Sequence, residues 1–262
     1  MILSSLLISL TLLLFQISAT AAPISSVSHI HNLIVFGSEV LLGTHEGLYK
    51  LIDQTEMKLI SRDKFDVMGL SVMGKKLIAS GHPGKSSTFP EPLGLLSSKN
   101  DGKTWAEITL QGKVDFHLLE SNSIEIYGVD SQSGDLLFSN NSGRSWKSLG
   151  ANRFSDIAPS QKISGYVIAI TEGRMLFSKN SLHKTQLIKT NFKATHVEWV
   201  HNSIFALSDN DLYESSNFGK SWNLIFRFDR PVTVFSANEK IMVATQGAKV
   251  LKSYDAGKTF EV

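Results

Sequence analysis

Apolar residues along this chain come in short runs divided by Gly, Asn, Asp and Ser, and no long segment keeps a 3.6-residue hydrophobic period. That pattern predicts many short strands and no long helices. The runs fall into a repeating order of four strands. In the first unit they cover His29–Phe36, Glu39–Thr44, Gly47–Ile52 and Glu56–Ser61. Later units run from Asp66 to Leu110, Asp115 to Leu149, Phe154 to Ile188, Ala194 to Phe226 and Pro231 to Val262. Six units of roughly 40 residues result, the size of a four-stranded antiparallel sheet in a repeat protein.

An octapeptide punctuates the units. Ser98–Trp105 reads SKNDGKTW, Ser139–Trp146 SNNSGRSW, Ser215–Trp222 SSNFGKSW and Ser253–Phe260 SYDAGKTF. A weaker copy begins at Ser178 (SKNSLHKT), without the glycine or the aromatic. In the first unit only Asp53 survives. The starts at 98, 139, 178, 215 and 253 lie 41, 39, 37 and 38 residues apart, a spacing of solenoids and propellers. The residue types are those of a turn: Asn or Asp bonds backbone groups further on, glycine supplies positive φ, and hydroxyls satisfy remaining amides. The closing aromatic is an anchor between neighbouring units.

The octapeptide resembles the Asp-box, or BNR repeat, of sialidase-like β-propellers. Together with SHIHNL, GTHEGLY, DVMGL, ASGHP and VDFHLLE, it makes the whole mature chain similar to short exported bacterial Asp-box proteins labelled sialidase-like or glycosyl-hydrolase-like. The resemblance implies an all-β fold, a β-propeller of six four-stranded antiparallel blades, with each box between the third and fourth strands. Two departures from the repeat stand out. Gly81–Gly94 (GHPGKSSTFPEPLG) is an insertion in the second unit that holds three of the six prolines. The fourth unit has an extra turn at Pro159–Gly165 and the weakest of the recurring boxes, so an irregular blade is expected there.

Composition narrows the possibilities. A net charge of +2, from 26 basic and 24 acidic residues without a basic stripe, gives no case for nucleic acid. The absence of cysteine excludes disulfides, zinc–thiolate sites, Cys nucleophiles and a lipoprotein anchor. Residues 1–22 carry no charged side chain, hold an apolar run at Leu6–Phe15 and end in the small-x-small signal Ala19-Thr20-Ala21. They read as a signal peptide, leaving 23–262 as one propeller domain that is secreted or periplasmic. No other segment is suited to crossing a membrane, and a monomer is expected.

No P-loop, dinucleotide, zincin or nucleophile-elbow motif occurs. The chemical signal comes from aligning the units. One column near the start of the first strand reads His31, Met68, His117, Ala158, His196 and Thr233. Two residues earlier it reads His29, Asp66, Asp115, Asp156, Ala194 and Pro231. In a propeller the first strand borders the central channel, so the columns predict stacked rings at one channel mouth. Alternating strand direction brings His45 and His82 to the same face, leaving only His183 and His201 of the eight histidines elsewhere. His31, His117, His196 and Met68 are the expected metal ligands, with His29, His45 and His82 as further ligand-binding groups. Imidazole with thioether leans towards copper, with zinc the other candidate. Asp66, Asp115 and Asp156 would orient the imidazoles.

The same three aspartates are the candidate catalytic groups of an alternative reading, a glycoside hydrolase with two working carboxyls. A sialidase site would also need an arginine trio, and none can be assigned to the mouth. Tyr127 lies in a second strand, with no Glu partner on the channel side. Binding of a metal ion or small ligand is therefore the preferred expectation, with a glycosidase as the enzyme class if there is one.

Overall fold

The computed structural model describes residues 21–85, 87–247 and 249–261. Nearly all of the segment read as a signal peptide, residues 1–20, lies outside the described residues. Six antiparallel sheets follow one another along the chain, each built from consecutive strands. Their innermost strands are Ile30–Phe36, Phe65–Met73, Phe116–Ser121, Asp156–Pro159, His196–Val200 and Val234–Ala237. The molecule is a six-bladed propeller, as the repeat and the resemblance predicted.

Blades two to five have four strands. Blade one gains a fifth, because Ala22–Pro23 pairs with Glu56–Met57 on its outer edge. Among the described residues blade six has three, with an isolated bridge, Lys252 with Glu261, where a fourth was expected. The ring closes where blades one and six meet: Val35 donates its N–H to Ser236 Oγ at 3.2 Å, and Asn238 Nδ2 donates to the Gly37 carbonyl at 2.8 Å.

The core lies between blades. Leu41 and Leu48 of blade one pack on Phe65, Val67, Leu70 and Leu77 of blade two, with Trp105 closing the cluster. The box aromatics reach backwards in the chain: Trp105 Nε1 donates to Ser61 Oγ at 3.2 Å, and Trp146 Nε1 to Thr109 Oγ1 at 3.0 Å. Within each box the first serine accepts the N–H of the fifth residue at 2.9 Å, at Gly102, Gly143, Gly219 and Gly257. The degenerate copy keeps this geometry, with Leu182 N–H to Ser178 Oγ at 2.9 Å. Leu182 adopts φ 65°, the conformation glycine supplies in the other boxes. Blade four is irregular mainly in its outer strand, Gln186–Leu187, of two residues.

Three inner strands carry a β-bulge at one equivalent point. In blade one the pairing steps from Ile30–Thr44 to Asn32–Gly43, leaving His31 as the extra residue. In blade two it steps from Val67–Gly81 to Gly69–Ser80, leaving Met68. In blade three it steps from Phe116–Asp130 to Leu118–Val129, leaving His117. The inner strands of blades four, five and six pair without interruption. A bulge breaks the two-residue alternation and re-aims a side chain, and bulges concentrate beside functional sites.

Candidate functional site

The bulges and the neighbouring loops gather histidines and carboxylates at one pole of blades one to three. In the first cluster His29 Nδ1 lies 3.2 Å from His31 Nδ1, and His31 Nε2 lies 3.2 Å from His45 Nδ1. Asp66 of blade two faces both rings, with Oδ1 3.1 Å from His31 Nε2 and Oδ2 2.7 Å from His45 Nδ1. His31 is deeply set, its side chain 9% exposed. Burial, together with the charges of His45, His29 and His117, holds its imidazole below the ordinary value against the opposing pull of Asp66. It is therefore neutral at pH 7, the form that ligates metals. Asp66 Oδ1 is buried and accepts no hydrogen bond among the described residues.

The second cluster joins blades two and three. His117 Nε2 lies 2.8 Å and His82 Nε2 3.3 Å from Asp115 Oδ2, which also accepts the Ser131 hydroxyl at 2.8 Å. His82 Nδ1 sits 2.6 Å from Glu91 Oε1. Burial lowers the His82 pKa, but Glu91, Asp115 and Asp66 outweigh it and raise the value above normal. His29, His31 and His45 form one set able to enclose an ion, and His82, Asp115 and His117 another. Asp66 and His82 are direct cross-strand partners, so the two clusters adjoin.

One expected ligand, His196, and one expected orienting carboxylate, Asp156, belong to neither cluster. His196 is in regular register opposite Leu207, and its Nδ1 lies 3.2 Å from Thr195 Oγ1 of its own strand. The inner strand of blade five has no bulge at this point. Asp156 accepts the N–H groups of Ile157 and Val197, at 2.9 and 2.7 Å, and orients no imidazole. Met68 is the bulged residue of blade two, and Asn32 Nδ2 braces its carbonyl at 2.8 Å. The arrangement is thus a sector over three blades and not a ring around the axis.

No family model matches this chain, and no curated protein matches it. Solved structures do resemble it. YCF48 bound to D1 peptide aligns with a TM-score of 0.55 and 15% identity, over 93% of this chain and 84% of that one. The GH74 enzyme of Niastella koreensis gives 0.61 and 13%, over 88% of this chain and 37% of that one. The GH74 xyloglucanase of Xanthomonas campestris gives 0.60 and 11%, over 88% and 37%. The shared feature is the propeller. This chain spans just over a third of either GH74 chain.

Beneath the pole runs a channel of about 990 Å³, bordered by His31, His117 and His196 and, deeper, by Glu120, Asp156 and Glu198. Burial keeps these three carboxyls protonated more readily than usual, and repulsion from neighbouring carboxylates adds to it at Glu198 and Glu120. Asp156 is raised to about 6, chiefly by burial. Glu198 is raised to about 8 by burial and then by Asp156. Glu120 is well above the normal range from burial, Glu198 and Asp156. The aligned columns missed Glu120 and Glu198. Glu198 lies two residues after His196 and so shares its side of the strand. Glu120 was hidden by the His117 bulge, which shifts the alternation by one. Glu91 was passed over inside the insertion.

Proposed function

We propose that this protein binds a divalent transition metal, copper or zinc, at the His/Asp pole, through His31, His45 and Asp66 with His29 at the rim. The observation that carries this reading is the convergence of His31 Nε2, His45 Nδ1 and the Asp66 carboxylate, separated by 2.7–3.2 Å. Ligands at bonds of about 2.0–2.1 Å in a tetrahedron lie about 3.3 Å from each other. The buried Asp66 Oδ1 faces His31 Nε2 at 3.1 Å without forming a hydrogen bond to it, as two ligand atoms of one ion would. Met68, the bulged residue of blade two, would favour copper as a further ligand. A coordination position left open at the rim suits capture of a small ligand.

The test is calorimetry with copper and zinc on the parent and on a His31→Ala/His45→Ala double variant. The parent binds at least tenfold more tightly, and its affinity falls as pH drops through about 6.5, because protons compete for the imidazoles. Equal affinities for parent and variant would end this reading.

The leader supports export to the periplasm or beyond, and the uniform serine–amide turns support kinship with Asp-box proteins. Amino-terminal sequencing of the mature protein at Ala22 or Pro23 checks the first point. A glycoside hydrolase is the second reading, favoured by the acidic channel, where Glu198 is protonated at neutral pH and Asp156 largely ionised. Release of the aryl group from aryl glycosides, lost in Glu198→Gln, is its test.

A further inference from the structure

We infer that His82, Asp115 and His117 form a second transition-metal site, clamped by the long insertion of blade two and loaded independently of the first. This inference rests on the metal reading of the pole and adds a second ion to it. The argument begins with proton positions. Glu91 Oε1 lies 2.6 Å from His82 Nδ1, and an ionised carboxylate only accepts, so Nδ1 carries the hydrogen. In the neutral ring Nε2 is then a lone pair. It faces another lone pair, Asp115 Oδ2, at 3.3 Å. His117 Nε2 approaches the same oxygen at 2.8 Å. With its hydrogen on Nδ1 the His117 ring would offer a lone pair there too, and the three groups lie close enough together to hold one cation.

A proton on His82 would satisfy Asp115 Oδ2 alone. The other oxygen decides between a proton and a metal. Asp115 is among the most buried carboxylates of the chain, its side chain 3% exposed, yet Oδ1 has no hydrogen-bond partner among the described residues. Leaving a charged, buried oxygen unpaired is costly, whereas a metal ion bound across the carboxylate would occupy both oxygens. The separations of 2.8 and 3.3 Å are close to the tetrahedral edge of about 3.3 Å set by bonds near 2.0 Å.

The surroundings hold these donors in place. His117 is the bulged residue of its strand. Asp115 is fixed at its backbone, where its N–H donates to Asp130 Oδ1 at 3.2 Å. Glu91 belongs to the insertion, whose return is pinned beside the blade. Leu93 is fully buried and donates its N–H to the Gly81 carbonyl at 2.9 Å, and Pro92 accepts from the Gly112 N–H at 2.8 Å. Glu91, His82 and the ion would form a carboxylate–histidine–metal relay, in which the outer carboxylate fixes tautomer and ring orientation. Two imidazoles and a carboxylate bound through both oxygens make four donor atoms, a set that suits zinc or divalent copper.

The experiment measures bound zinc and copper per chain, by elemental analysis and calorimetry, on the parent, His82→Ala/His117→Ala, His31→Ala/His45→Ala and Glu91→Gln. The parent is expected to hold two ions and each double variant one. Glu91→Gln, an exposed position that leaves folding untouched, should keep both ions while one binds about 10–100-fold more weakly. A parent with one ion that survives in His82→Ala/His117→Ala, or an unchanged Glu91→Gln, overturns the second site while the first stands. A parent that binds no ion overturns both.

Discussion

Replacing Glu198 by Gln should change how stability depends on pH. The native chain holds the Glu198 proton up to about 8, against the ordinary glutamate value of 4.5, because burial and Asp156 penalise the ion. A proton bound more tightly in the native state adds stability that is complete below about pH 4.5 and is lost as pH rises towards 8. At about 1.4 kcal/mol per pH unit, the interval of about 3.5 units between those values sets a ceiling of about 5 kcal/mol. Glu198 borders the channel, and solvent entering it would screen the group and reduce the expected effect to about 1–2 kcal/mol. Glutamine keeps the size and the acceptor that Ala237 N–H uses at 3.3 Å, and it does not titrate. Urea unfolding of both proteins at pH 5 and pH 8.5, with chelator present so that metal linkage is silent, isolates the difference. The variant should gain about 1–2 kcal/mol relative to the parent between the two pH values. Parallel behaviour of the two proteins would show that Glu198 is not held protonated by the fold.

Trp105→Ala should cost about 3–5 kcal/mol, because it empties the joint between blades one and two where the ring meets Phe65 edge-on at 5.5 Å. Metal content should stay unchanged, and a variant that melts like the parent but loses metal would contradict the structural role of the box. Leu182→Ala should destabilise by about 2–4 kcal/mol, and Leu182→Gly by about 1 kcal/mol less, because φ 65° favours glycine while both remove the same buried side chain. Chemical denaturation ranks the two, and a glycine variant weaker than the alanine one refutes the reasoning. Gly81→Ala should destabilise by on the order of 3 kcal/mol, since its Cβ would stand 1.9 Å from the Asp66 carbonyl oxygen at φ 143°. It should also lower metal content, because the clash falls on the strand pair carrying Asp66 and His82, and metal analysis after refolding checks this.

Much of the fold was legible because turn chemistry is local. The serine, Asn/Asp and glycine of each box act within five residues, so their spacing revealed both the period and the number of blades. Even Asp53, the remnant in the first unit, still accepts the N–H groups of Thr55 and Glu56, at 2.8 and 2.9 Å. The strand count at the ends was not legible, because whether residues 22–23 add to blade one depends on a partner more than thirty residues away. Alternation in strand direction correctly united His31 with His45, and His82 with Asp115. The same alignment placed His196 with them, because a column treats blades as equal and a bulge is invisible in it.

The broken equivalence of the blades is the argument for a site. Every group in the two clusters comes from blades one to three, the blades whose inner strands are bulged. A ring serving only as a scaffold has no reason to interrupt its ladder at one equivalent point in three consecutive blades and spare the other three. Each interruption forfeits ladder regularity, and each falls on His31, Met68 or His117. The packing has adapted around it: a side chain on Gly69, the residue after the blade-two bulge, would meet the Phe116 carbonyl oxygen at 2.5 Å. Propeller neighbours of 11–15% identity share the ring and carry no information about this pole. The function of the chain is therefore to be sought in what these three bulges aim at, the imidazoles and carboxylates at which we propose that a metal binds.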